Sequence, residues 1–109
     1  MSKNSKAGLL PSPVRQELSE LGNQIRMARR RRKLTIKTVA ERAQCSELTV
    51  IRAEKGLPTI SIGIYAKILY AMGLTSDISL WAKTDPQGNA LEQNKLLKHK
   101  SKETYDVFD

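Results

Sequence analysis

The sequence predicts an all-α domain followed by one short β-strand, and three observations carry that prediction. Apolar residues recur at spacings of three and four from Val14 to Met72. Most of these stretches open on a Ser or Thr able to cap a helix, and the last closes on Gly73. The period then changes from helical to two over residues 76–83. At 109 residues the chain fits one small domain with tails and is too short for a multidomain enzyme.

Residues 1–11 are polar and without periodicity, which predicts a flexible N-terminal tail. Ser12 followed by Pro13 reads as a helix start. The first helix then extends to about Arg32, with Val14, Leu18, Leu21, Ile25 and Ala28 as its buried stripe. Thr35 is the expected cap of a two-turn second helix whose inward residues are Ile36, Val39, Ala40 and Ala43. Gln44, Cys45 and Ser46 break it, and Ser46 caps a third helix, Glu47 to about Glu54, that turns Val50 and Ala53 inward. Gly56 stops that helix and Ser61 opens a fourth, with Ile64, Tyr65, Ile68, Leu69 and Met72 on one face. The helical domain is thus expected over residues 12–75.

In the strand expected at residues 76–83, Ile78, Leu80 and Ala82 alternate with Asp77, Ser79 and Trp81. A lone strand cannot satisfy its own backbone groups, so the expected partner is the same strand of a second subunit, with Ile78, Leu80, Trp81 and Ala82 at the dimer contact. Residues 84–109 are expected to be a flexible C-terminal tail, with a turn at 84–89 and at most a weak helix from Leu91 to Lys100.

Charge is distributed unevenly. The chain holds 19 basic and 11 acidic residues, a net charge of +8, and five consecutive cations, Arg29 to Lys33, end the first helix. A polyanionic partner fits this clustering, because neutralising phosphates releases condensed counterions. Cations at a helix C-terminus also favourably meet the negative end of the macrodipole, and a nuclear-import signal fits the same run. One cysteine, Cys45, excludes a disulfide framework and a multi-cysteine zinc site and, with no secretory signal, points to a reducing cytosol. Cys45 reads as a small apolar filler of the turn, and His99 as solvated in a lysine-rich tail. No apolar run is long enough for a membrane span. No catalytic constellation, phosphate loop, metal site or cofactor motif is expected, so the chain does not read as an enzyme.

Two short helices joined by a three-residue turn match the helix-turn-helix that enters the DNA major groove. A small residue, Ala40, lies where the helices cross, with Val50 locking the second against it and Val39, Ala43, Cys45 and Ala53 filling the seam. The stretches "LTIKTVAERAQCSELTVIRAEKG" and "IYAKILYAMGL" resemble the Cro/C1-type (XRE) helix-turn-helix family over roughly half the chain, Leu21 to Leu74. The resemblance implies a four-helix or five-helix lambda-repressor-like DNA-binding domain. Two positions depart from the family pattern. Gln44 stands where glycine is common, at a cost on the order of 1 kcal/mol in a left-handed conformation. Ile36 and Lys37 open the second helix where glutamine is common.

The ending "KILYAMGLTSDISLWAK" is similar to HipB-like antitoxins. It implies a homodimer on a palindromic double-stranded operator and a HipA-like serine/threonine kinase toxin as partner, in a bacterial cytoplasm at the nucleoid. In that family a tryptophan in the tail docks on the kinase; no tryptophan follows Trp81 here, and Tyr105, Val107 and Phe108 form an apolar cluster beside Asp106 and Asp109 instead. A stand-alone or phage-type repressor without a toxin is the alternative, and a coactivator-like adaptor without sequence preference is a third reading. By the geometry of the motif, Ser46, Glu47, Leu48, Ile51 and Arg52 are the candidate base contacts. Arg52 suits guanine, Glu47 a cytosine amino group, and Leu48 or Ile51 a thymine methyl. Thr35, Lys37 and Thr49 are candidate phosphate contacts, with Arg26, Arg29 and Arg30 depending on which side of the first helix faces DNA.

Overall fold

The computed structural model describes residues 10–98. These residues form α1 (Ser12–Arg31), α2 (Ile36–Ala43), α3 (Glu47–Glu54), α4 (Ile62–Ala71), a 3-10 helix (Thr75–Leu80) and α5 (Pro86–Lys98). They divide after Ile78 into two compact units. Expectations placed on residues 1–9, on His99 and on the Tyr105 to Asp109 cluster lie outside the described residues.

In the first unit, α2 packs on α3 and α4, and α1 packs on α3. The shared core is Ile25, Ala28, Val39, Ala40, Ala43, Val50, Ala53, Tyr65, Ile68, Leu69 and Met72. Thr35, Ser46 and Ser61 each cap the next helix, accepting from Thr38 N, Thr49 N and Ile64 N at 3.0, 3.1 and 3.2 Å. All four helices end on the same paired backbone bonds, in which a residue just past the helix reaches back five residues. Leu34 N–H donates to Arg29 O at 3.1 Å, Cys45 to Ala40 at 3.0 Å, Leu57 to Arg52 at 3.3 Å and Leu74 to Leu69 at 2.8 Å. The pivot residue has positive φ each time: Lys33, Gln44, Gly56 and Gly73.

Gly22 and Gly56 let α1 lie against the end of α3. A Cβ on Gly22 would come within 2.5 Å of Gly56 N, 2.6 Å of Glu54 O and 2.9 Å of Ala53 O, and one on Gly56 would strike the Leu18 carbonyl. The two backbones meet where no side chain fits. Arg29 closes the same junction. Its Nε and Nη2 donate to Glu54 Oε2 and Oε1 at 2.6 and 3.2 Å, and its Nη1 donates to the Leu34 carbonyl at 3.0 Å. Tyr65 reaches across from α4, its hydroxyl donating to Leu57 O at 2.8 Å and pinning the loop after α3.

Four expectations are corrected. Residues 76–83 form no strand: Thr75–Leu80 is a 3-10 helix and residues 81–83 a turn closed by Lys83 N–H to Leu80 O at 3.2 Å. Local i to i+3 bonding satisfies a backbone that a solitary strand would leave unpaired. The alternating pattern was too short to decide, and Ile78 alone of its three apolar residues is half-buried against the core, while Leu80 and Ala82 are exposed. Second, Ser12 does not cap α1; the helix starts at Ser12, after Pro11, with no side-chain cap bond. Third, Val14 is exposed, a turn ahead of Leu18, where the α1 backbone comes against Gly56 at the end of α3. Fourth, residues 84–98 are not simply tail. Asp85 Oδ1 accepts from Gly88 N at 3.0 Å and opens α5 at Pro86, so Asp-Pro here is a helix start rather than a turn.

Candidate nucleic-acid interface

The exposed surface of α3 is set by which of its residues are held. Val50 and Ala53 face the core, Glu54 is bound by Arg29, and Thr49 is half-buried. Glu47, Leu48, Ile51, Arg52 and the capping residue Lys55 are exposed. At about 3.6 residues per turn these five occupy one arc of roughly 140°, with Ile51, Lys55 and Leu48 in its middle and Glu47 and Arg52 at its edges. The rear of the same helix is fixed by α2, by the Gly22 contact and by the Arg29–Glu54 pair. The outward arc is therefore carried on a rigid support.

The other expected site residues separate into free and committed groups. Lys37 is exposed in the first turn of α2, and Arg26 and Arg30 are exposed on α1. Arg29 is set apart from them. Its side chain is only 14% accessible, and Glu54 and Leu34 O take its donors, so it braces the fold where a phosphate contact was expected. The hydroxyls are partly committed as well: Ser46 Oγ and Thr49 Oγ1 lie 2.9 Å apart, and Thr35 Oγ1 donates to Thr38 Oγ1 at 3.0 Å. Of the expected dimer residues, Leu80, Trp81 and Ala82 are exposed and Ile78 belongs to the core margin.

Lys55 was missed in the sequence, although the i+4 row Glu47, Ile51, Lys55 carries the signal. Cys45 is half-buried at the turn. Burial pushes its thiol up, with Lys67 pulling the other way, which keeps it a neutral filler. Among the described residues no group of three or more His, Cys, Asp or Glu side chains could hold a metal ion, and no helix is long and apolar enough to cross a membrane.

Two short helices set at a tight turn, the second braced from behind and exposed in front, define a DNA-binding helix-turn-helix protein. The comparison with protein families agrees: a helix-turn-helix domain matches residues 20–78. That is more than half of the sequence, so the chain belongs to this helix-turn-helix domain family. No curated protein and no solved structure gives a significant match.

Proposed function

We propose that this chain is a sequence-specific transcriptional repressor of the Cro/C1 type that lays α3 in the major groove. The observation that carries the reading is the outward arc of α3, exposed while its opposite side is fixed to α1 and α2. Arg52 at one edge matches guanine O6 and N7, and Glu47 at the other matches a cytosine amino group. Lys37, Arg26 and Arg30 supply sequence-independent attraction to phosphates, reinforced by the N-terminus of α2. The operator is palindromic and the protein a homodimer on it, acting in a bacterial cytoplasm at the nucleoid.

Selection from random duplexes by the full chain tests the reading. One motif should be enriched and bound at least tenfold more tightly than bulk DNA at physiological salt. Binding without any such preference would favour the adaptor reading and end this one.

A second reading makes the same protein the autoregulating antitoxin of a HipA-like kinase. Leu80 and Trp81 favour it, each 55% exposed just beyond the DNA-binding unit, as an apolar surface suited to a protein partner. The expected strand ending, which supported this resemblance, is absent. Stoichiometric co-purification with a kinase-like neighbour supports the antitoxin role; no such neighbour and an empty pull-down leave the repressor alone.

A further inference from the structure

The middle of the α3 arc carries two branched alkyl side chains, Leu48 and Ile51, on either side of Lys55. Leu48 is 51% and Ile51 36% exposed, and nothing in this unit covers them. Their neighbours on the arc are Glu47, Arg52 and Lys55. Adenine is read in the major groove by a carboxamide that accepts from N6 and donates to N7, and the arc carries neither Asn nor Gln. Gln44, the nearest carboxamide, sits in the turn before α3. The hydroxyls of Ser46 and Thr49 engage each other. The face therefore has hydrogen-bonding groups for G·C pairs at its edges and, between them, two branched alkyl groups and the Lys55 ammonium, a donor that also suits guanine rather than adenine. The one major-groove feature complementary to an alkyl group is a methyl at C5 of a pyrimidine.

Resting on the DNA-binding reading, we infer that Leu48 and Ile51 recognise pyrimidine C5-methyl groups, so that A·T pairs of the operator are read by methyl contact rather than by hydrogen bonds. Binding then depends on base modification: deoxyuridine in place of thymidine removes the recognised group, and 5-methylcytosine presents it on a G·C pair.

Two selections with the full chain, one from a random duplex library made with thymidine and one made with deoxyuridine, provide the probes. The motif enriched from the first is then titrated in both forms. Thymidine duplex is expected to bind about fourfold more tightly for each contacted methyl. At those positions 5-methylcytosine·G should exceed cytosine·G by a similar factor. Leu48→Ala and Ile51→Ala, both at exposed sites, should each erase the preference at one position while circular dichroism stays unchanged. Equal affinity for the thymidine and deoxyuridine forms of an enriched motif overturns the methyl inference and leaves the DNA-binding reading standing. So does no gain from 5-methylcytosine, or a preference surviving in both variants. Failure of both libraries to yield any motif overturns both.

Discussion

Arg29 and Glu54 form a pair whose worth depends on which partner is removed. The Glu54 side chain is 6% accessible and receives both of its close bonds from Arg29. Arg29→Met strands a buried carboxylate and is expected to cost about 3–5 kcal/mol, measured by urea denaturation. Adding Glu54→Leu should recover most of the loss, because an apolar pair of similar volume avoids desolvating both charges. A double variant no more stable than the single would mean that the bond to Leu34 O matters more than the ion pair. Lys33 and Gln44 adopt φ of 54° and 56°, where a Cβ is strained. Gln44→Gly is expected to raise stability by a few tenths to about 1 kcal/mol, the relief outweighing the greater entropy of the unfolded glycine. Tyr65 gives a pH dependence. Burial holds its phenol above the ordinary value, so as pH rises past about 10 the unfolded chain loses that proton first. The native state then binds more protons, and its stability, complete at lower pH, falls as pH rises. Tyr65→Phe should lose about 1 kcal/mol at neutral pH by unpairing Leu57 O, and show a shallower alkaline decline.

The close crossing of α1 and α3 is a property of elements, since it needs Gly22 on one and Gly56 just past the other. Gly22→Ala places a Cβ against three backbone atoms that cannot move independently. It is expected to cost about 1–3 kcal/mol and to weaken DNA binding by shifting α3. Gly73→Ala is the contrast, with open space around its Cβ but φ of +79°; it should cost about 1–2 kcal/mol and leave DNA affinity unchanged in the folded fraction. Thermal melts and titrations separate the two cases. The four helices of the first unit were legible in the sequence because the periodicity is sustained in each, and Ser or Thr caps agree with it at α2, α3 and α4. Gly22 was not, because hydrophobic periodicity gives no weight to a residue whose function is to be small. The Arg29 to Lys33 run looked uniform, since the feature that removes Arg29 from it is Glu54, 25 residues away. Period two over residues 76–83 misled because a strand needs a partner that sequence pattern alone does not supply. Asp85 and Pro86 carry both turn and helix-start chemistry, and the helical run of residues 86–98 decides between the two.

At the scale of the whole molecule, charge and symmetry combine in one observable. The first 33 residues hold nine basic and two acidic side chains, and phosphate contacts by exposed cations set how steeply affinity falls with salt, by about 0.9 in the logarithmic slope per contact on duplex DNA. A substitution in a homodimer removes its contact from both half-sites. Lys37→Ala is therefore expected to flatten the slope by about 1.8 if two copies bind a palindrome and by about 0.9 if one does. The proposed homodimer requires the larger change, with two chains per duplex by analytical ultracentrifugation and the selected sequence unaltered. Arg30→Ala should behave in the same way, whereas Arg52→Ala should also relax one base position. The Arg29→Met, Glu54→Leu double variant should leave the slope unchanged, because that guanidinium is already held within the protein. A decrement near 0.9 with one chain per duplex would reject the dimer while keeping α3 in the groove. An unchanged slope for Lys37→Ala would remove the first turn of α2 from the phosphate contacts.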